Sequence, residues 1–325
     1  MFFQIIIFLS SILVISILSG RLVKTLIEIA KYLKWREFII SFFVMGITAS
    51  LPNLFVDLPA ALQGLAPLAL GDIIGGNLLD LTLVAAVVMF FSSKKSIPVT
   101  GTMMQGSAVF TFFIAILPVF LIWDGKLTRL EGIILISAFI FYVFWLFSKD
   151  SRYRKIYKEH KAIKAKPIKS FKAFLKNVAQ LIALVAILLF AAQGVITSAE
   201  YFSISLGLSL SLVGIFIVAL ANCFPETYFG IISVRNGQKS MVIGDIMGSV
   251  ITSATLVLGI IGLVSPFEIK DMSPFLTARI FTIAAAMFFL VALKTGRKFT
   301  KKEALFLLFV YIAFLLSEIF LQYAA

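Results

Sequence analysis

Long apolar segments, separated by short polar connections, run through the whole 325-residue chain. Ten of them are about 20 residues long, enough to cross the roughly 30 Å hydrocarbon core of a bilayer as helices. The pattern therefore predicts an all-α integral membrane protein with ten transmembrane helices. The segments are residues 2–20, 38–62, 68–91, 103–123, 128–147, 177–197, 206–233, 241–264, 274–293 and 303–323. No cleavage site follows the first segment, so we interpret it as a membrane helix rather than a signal peptide.

The second and third segments share a sequence pattern with the seventh and eighth. A constant offset of 173 positions pairs Pro52 with Pro225, Gly71 with Gly244, Asp72 with Asp245, Gly75 with Gly248 and Thr82 with Thr255. In each copy a proline interrupts one apolar segment, and a Gly-Asp step opens the next. Since each half has an odd number of segments, the halves enter the membrane from opposite sides, as in many transporters. We predict two inverted five-helix repeats, residues 1–147 and 177–325, joined by a basic linker, residues 148–176.

Composition and charge support a membrane location. Hydrophobic residues make up 61% of the chain, against roughly 45 to 50% in soluble domains. The net charge of +13 could suggest a nucleic-acid partner. However, all but four of the 29 Lys and Arg residues lie in the connections that follow odd-numbered segments, and such a bias marks the cytoplasmic side. We predict a multi-pass cell-membrane protein with both termini outside and a cytoplasmic linker. The lipid bilayer is an expected partner, and no nucleic acid is expected.

Two acidic residues, Asp80 and Glu226, lie deep in predicted membrane segments. Each costs at least about 2.5 to 3.5 kcal/mol at the centre of a membrane helix unless it is paired or coordinates an ion. Neither has a basic residue in its own segment. Either a bound cation or protonation with hydrogen bonding would remove this cost. We favour a cation, since oxygen ligands suit hard ions such as Ca²⁺.

Other polar residues occupy matching positions in the two copies. Asn53 and Glu226 each follow the proline, and 27 residues further on lie Asp80 and Ser253. Ser249 lies one helical turn before Ser253. We predict that these side chains meet at mid-membrane. Asp72 and Asp245 follow glycines at the expected helix starts, where we favour helix capping over ion binding.

These motifs resemble the alpha repeats of the sodium/calcium exchanger family, whose superfamily also includes cation/proton exchangers. The resemblance rests on S-L-P-N ending at Asn53, N-C-F-P-E ending at Glu226, G-D-I-I-G-G-N from Gly71 and G-D-I-M-G-S-V from Gly244. It implies antiport of Ca²⁺ against Na⁺ or another monovalent cation by alternating access around four central sites. It also implies that the first and sixth segments slide as a gate. These cations are the expected transported ions, and no cofactor is expected.

The chain departs from the family pattern at several of these positions. The family's acid after the first proline is Asn53 here, and its asparagine in the facing helix is Asp80, whereas Glu226 keeps the family's acid. Ser253 stands where Asp or Asn is common. The hydroxyl pair before each proline is reduced, with Ser50 as the remaining hydroxyl in the first copy. Asp57, one turn beyond Asn53, is either a replacement carboxylate or part of the outer vestibule. These departures leave ion identity and stoichiometry open.

Other functional classes fit less well. Intramembrane aspartyl proteases use G-x-G-D, which neither Gly-Asp step provides. The single histidine, His160, excludes an H-E-x-x-H metal site and argues against a serine hydrolase. We therefore expect a transporter rather than an enzyme. A Ca²⁺/H⁺ exchanger remains the alternative within the superfamily, and a passive cation channel the alternative outside it. The sequence leaves the oligomeric state undetermined.

Overall fold

The computed structural model describes residues 1–33, 51–92, 96–99, 102–149, 170–235 and 239–324. Within these ranges the chain forms ten helices and four short strands. The helices are α1 (Phe2–Tyr32), α2 (Leu51–Leu62), α3 (Ala66–Phe91), α4 (Thr102–Leu121), α5 (Arg129–Lys149), α6 (Phe171–Leu206), α7 (Leu210–Arg235), α8 (Lys239–Thr252, Ser253–Val257 and Leu258–Val264), α9 (Ser273–Thr295) and α10 (Lys301–Ala324). The strands are β1 (Ser96–Pro98), β2 (Lys126–Leu127), β3 (Phe267–Glu268) and β4 (Lys298–Thr300).

The helices match the predicted apolar segments in number and order. Nine of the helices in the described ranges are long and apolar enough to cross a membrane. The tenth, α2, is the described part of the predicted segment 38–62, of which residues 38–50 lie outside the described ranges. Helices α3 and α8 are mostly buried, whereas α1 and α10 face mostly outwards. The prediction of an all-α membrane protein with ten helices is confirmed.

Helices α1 and α6 are much longer than their apolar segments. The predicted spans 2–20 and 177–197 become helices of 31 and 36 residues. At about 1.5 Å per residue, both exceed the thickness of the hydrocarbon core. Helix α6 begins inside the predicted linker, where Ser170 caps it by accepting a hydrogen bond from the amide of Ala173 at 3.2 Å. Hydropathy predicts only the apolar part of a helix, and both helices continue beyond their apolar residues. The rest of the predicted linker lies outside the described ranges.

Helices α1 and α6 pack against each other in antiparallel orientation. Near one end of the pair, the rings of Phe8 and Phe202 meet edge to face at 5.5 Å. Near the other end, Tyr32 stacks on Phe174 at 4.7 Å. These are the first helices of the two predicted repeats, so their antiparallel course agrees with an inverted arrangement of the halves.

Helices α3 and α8 share a local irregularity at matching repeat positions. Each contains one π-helical segment, Asp80–Val84 in α3 and Ser253–Val257 in α8. The two segments are separated by the 173-residue offset of the sequence repeat. In each, a threonine hydroxyl bonds to the carbonyl oxygen four residues back: Thr82 to Leu78 and Thr255 to Ile251, both at 2.5 Å. Single π turns are frequently found at functional sites, and these begin at two of the predicted site residues.

Two small antiparallel sheets join the halves, one pairing β1 with β4 and the other β2 with β3. Strands β1 and β3 follow the equivalent helices α3 and α8, and strands β2 and β4 precede the equivalent helices α5 and α10. The repeat therefore relates one sheet to the other. Each sheet places two connections on one face of the molecule, in agreement with the sides assigned from charge. After β2 and β4, Thr128 with Glu131 and Thr300 with Glu303 form matching capping boxes.

Candidate ion-binding site

The centre of the site is a group of three side chains on two helices. One oxygen each of Asp80 on α3 and Glu226 on α7, together with Sγ of Cys223 on α7, lie within 4.8 Å of one another. The two carboxyl groups are thus close enough to interact electrostatically. Asp80 is 2% exposed. The structure thus brings together the two acidic residues that the sequence singled out, one from each half.

Helix α8 supplies the hydroxyl groups of the site. Ser249 donates a hydrogen bond to Oε1 of Glu226 at 2.8 Å. One turn further along, Ser253 donates to Oδ1 of Asn77 on α3 at 2.7 Å. Ser253 also opens the π-helical segment of α8, as Asp80 does in α3. Ser249 is therefore part of the central group, and Ser253 lies beside it on the antiparallel α3–α8 contact.

Glycines allow α3 and α7 to approach closely beside the site. A Cβ atom built on Gly71 would lie 2.5 Å from the carbonyl oxygen of Ser211, and one on Gly75 would lie 2.5 Å from that of Ile215. Gly214 of α7 faces the same contact. Small residues permit this backbone contact in membranes, which brings the carboxyl groups of α3 and α7 together.

Pro225 does not break its helix, so the predicted interruption is wrong for the second copy. Helix α7 continues through Pro225 to Arg235. A proline removes only one amide donor, and the carbonyl oxygen of Ala221 loses its usual partner. Membrane helices tolerate this because neighbouring groups can satisfy the freed carbonyl. In the first copy, the residues before Leu51 lie outside the described ranges.

Asp72 and Asp245 do not cap helices, so that prediction is also wrong. Helix α3 begins at Ala66, after Leu65 and with Pro67 in its first turn, and the helical stretch containing Asp245 begins at Lys239. Both aspartates therefore lie more than one turn inside their helices, where backbone amides are already bonded. Asp72 is fully buried and accepts a hydrogen bond from Nδ2 of Asn222 at 2.5 Å. Asp245 lies close enough to Glu226 and Asp80 to interact with their charges.

Three predicted site residues, Ser50, Asn53 and Asp57, lie in or just before α2. Asn53 on α2 is 9% exposed and makes no hydrogen bond to another described residue. Asp57, one turn later, is fully buried and lies close enough to the carboxyl group of Asp72 to interact with it. Ser50 lies outside the described ranges. The structure thus groups Asp80, Glu226 and Ser249, places Ser253 next to them, and puts Asp57 in a second carboxyl pair.

No basic side chain offsets these acids within the described ranges. The one buried basic residue there, Arg279, donates to the carbonyl oxygen of Ile122 at 2.6 Å and lies over the ring of Trp123. The ion pair found there, between Lys126 and Glu268, is at the surface. Buried carboxylates without a basic partner are costly in a membrane, and a bound cation would offset that cost.

Sequence reasoning missed two asparagines that complete the site. Asn77 lies one turn before Asp80 on α3, and Asn222 lies one turn before Glu226 on α7. Asn77 accepts from Ser253, and Asn222 donates to Asp72. Their spacing of three or four residues from a site carboxylate, on the same helix face, was a signal available in the sequence.

Two inverted halves with a buried acidic site between them define a multi-pass membrane antiporter for cations. The model of the family described as sodium/calcium exchanger protein matches residues 3–148 and 176–320. The chain belongs to this family. The family consists of transporters, which confirms the expectation that the chain is not an enzyme.

Similar proteins agree with this assignment along most of their length. The sodium/calcium exchanger MaX1 of Methanosarcina acetivorans is 28% identical over 327 residues, covering 91% of this chain and 93% of the relative. The putative antiporter CaxA of Alkalimonas amylolytica is 24% identical, covering 91% and 92%. Among solved structures, the H⁺/Ca²⁺ exchanger CAX aligns with a TM-score of 0.73 at 18% identity, covering 96% of this chain and 82% of that one. The sodium-calcium exchanger NCX_Mj aligns with a TM-score of 0.61 at 18% identity, covering 97% and 98%.

Proposed function

We propose that the protein exchanges Ca²⁺ for Na⁺ or another monovalent cation by alternating access. Asp80 and Glu226 carry the divalent ion, because together they supply two negative charges at one point in the membrane. The observation that supports this most directly is their approach within 4.8 Å, from different halves and without a basic partner in the described ranges. Two relatives, a sodium/calcium exchanger and a putative antiporter, agree with this proposal.

Further ligands come from the hydroxyl and amide groups around the two carboxylates. Ser249 already bonds to Glu226, and Ser253 lies one turn away. Ca²⁺ takes six to eight oxygen ligands, so Asn53 and Ser50 near α2 are proposed to complete the shell in the occluded state. The long α1–α6 pair is proposed to slide across the other helices as the gate.

A proton is a second candidate for the exchanged monovalent ion. Oxygens of Asp80 and Glu226 lie within 4.8 Å of each other, and two carboxyls this close can share one proton after a small side-chain movement. A site that holds either Ca²⁺ or a proton would support Ca²⁺/H⁺ exchange.

The proposed orientation places both termini outside the cell membrane and the linker 148–176 in the cytoplasm. It rests on the distribution of Lys and Arg. Pairing of β1 with β4 and of β2 with β3 agrees with it, because each pair joins connections that the charge pattern assigns to the same side.

Isotope flux tests the exchange. Proteoliposomes containing the purified chain are loaded in turn with Na⁺, K⁺, Li⁺ or acidic buffer, and ⁴⁵Ca²⁺ uptake is measured. We expect uptake to require one of these outward gradients. Uptake at the same rate without any counter-ion would indicate a channel instead.

Charge-removing variants test the site. Glu226→Gln and Asp80→Asn should each reduce Ca²⁺ uptake at least 30-fold, which corresponds to about 2 kcal/mol. The amides keep the side-chain shape and one acceptor oxygen. Glu318→Gln is the matched control, because Glu318 is also a buried membrane carboxyl but lies beside Thr277 on α9. Wild-type uptake by both site variants would contradict the assignment of Asp80 and Glu226.

A further inference from the structure

A second carboxyl pair lies apart from the central group. Asp57 on α2 and Asp72 on α3 are both 0% exposed, and their carboxyl groups lie close enough to interact with each other. Asn222 holds Asp72 by donating to its Oδ2 at 2.5 Å. Neither oxygen of Asp57, nor Oδ1 of Asp72, has a hydrogen-bond donor among the described residues. Three buried carboxyl oxygens are thus left without a donor.

Two ionised carboxylates in this arrangement are unfavourable unless a cation or a shared proton lies between them. Like charges repel, and each buried carboxylate already costs at least about 2.5 to 3.5 kcal/mol at the centre of a membrane. The buried guanidinium of Arg279 bonds to a backbone carbonyl and offers no compensation. Carboxylate oxygens that lack donors are the ligands that a hard cation takes.

The pair is separate from Asp80 and Glu226. Asp72 precedes Asp80 by eight residues on the same helix, which is a rise of about 12 Å at 1.5 Å per residue. The repeat also does not reproduce the pair, because the position 173 residues after Asp57 is Gly230, where an added Cβ would meet Val88. Asp57 and Asp72 therefore form a feature of the first half alone.

A cavity of about 650 Å³ lies one to two turns from the pair. Its lining includes Ala61, four residues after Asp57 on α2, and Pro67, five residues before Asp72 on α3. Asp271 and Glu268, from the connection between α8 and α9, also line it. The charge pattern assigns these connections to the outer side. The carboxyl pair therefore lies between this outer cavity and the central group.

We propose that Asp57 and Asp72 bind a divalent cation of the Ca²⁺ class at a site of their own, between the outer cavity and the Asp80–Glu226 group. Two carboxylates balance a divalent charge, whereas a single monovalent ion would leave one negative charge buried. Asn222 acts as a positioning residue that fixes Asp72. The assignment of Ca²⁺ rests on the proposed function, whereas the existence of a second site rests on the geometry of the pair.

Binding stoichiometry tests the proposal without relying on transport. The full chain, purified in detergent, is equilibrated with ⁴⁵Ca²⁺ in choline buffer as wild type, as Glu226→Gln, as Asp57→Asn and as the double variant. We expect the wild type to bind two ions, each single variant one, and the double variant none. Asp72→Asn should match Asp57→Asn, and Glu318→Gln should match the wild type. Size-exclusion chromatography verifies that each variant is folded.

Three results would overturn the proposal. Loss of all bound Ca²⁺ in Glu226→Gln would mean that the central group is the only site. Wild-type stoichiometry in Asp57→Asn would mean that the pair binds no Ca²⁺. Binding of ²²Na⁺ but not ⁴⁵Ca²⁺ by Glu226→Gln would assign the pair to a monovalent ion. Because binding is measured in a variant with a disabled central group, a second site can be found even where exchange activity fails.

Discussion

The contact between α3 and α7 leads to a prediction about Gly75. In Gly75→Ala, the new Cβ would lie 2.5 Å from the carbonyl oxygen and 2.7 Å from Cα of Ile215. Ordinary contacts begin near 3.4 Å, so the two helices must separate by nearly 1 Å. Both obstructing atoms belong to the backbone and cannot rotate away. Overpacking of this kind costs about 1 to 3 kcal/mol, and we expect the free energy of unfolding to fall by that amount.

Gly248 is the matched control, since it occupies the same repeat position on α8. An added Cβ there meets no atom of the described residues within 4 Å. Gly248→Ala should leave the free energy of unfolding unchanged or raise it slightly, because alanine favours the helix by up to about 1 kcal/mol. Unfolding in mixed detergent and SDS micelles, followed by circular dichroism, measures both variants. Equal effects, or a Gly75→Ala variant as stable as the wild type, would refute the reasoning.

Two further predictions concern the thiol of the site and the orientation of the chain. Cys223 adds a soft sulfur ligand beside two carboxylates. Cd²⁺ should therefore inhibit Ca²⁺ uptake by the wild type at about tenfold lower concentration than uptake by Cys223→Ser, a difference of about 1.4 kcal/mol. Equal inhibition of the two proteins would mean that the sulfur does not contact the ion. Reporter fusions at Lys166 and after Ala325 should report opposite sides of the membrane, and finding both on one side would contradict the proposed orientation.

The sequence predicted the scaffold and the central acids because both depend on long or repeated patterns. Ten apolar runs and a repeat without gaps specify the number of helices and their inversion. Asp80 and Glu226 are conspicuous because ionisable residues are rare in such segments. Helix starts were harder to predict: the Gly-Asp steps resembled cap positions, but α3 begins earlier, with Pro67 in its first turn. Asp72 therefore became a buried partner of Asn222 instead of a cap.

Other features could not be predicted because they arise from tertiary contacts. The π-helical segments at Asp80 and Ser253 have no distinct sequence signature. Each contains a threonine at the matching repeat position, Thr82 or Thr255, but a threonine alone does not predict a π turn. The closeness of Asp57 and Asp72 depends on how α2 packs against α3. The periodicity of apolar residues within either helix does not determine that packing. Likewise, α1 and α6 extend beyond their apolar runs by packing on each other.

The two halves share the same helix arrangement but carry their acidic side chains on different helices, and this difference affects which helices can move during transport. The pattern of the sodium/calcium exchanger family places an acid after each proline, on the helices that correspond to α2 and α7. Here α2 carries Asn53, and the acid of the first half is Asp80 on α3. Helix α3 touches α7 through the backbone contact of Gly75 with Ile215. Both central carboxylates thus lie on two helices that are packed together too closely to slide independently. The divalent site should therefore stay assembled while other helices move, and α2, with Asn53 and Asp57, is positioned to change its ligands to the ion during the cycle.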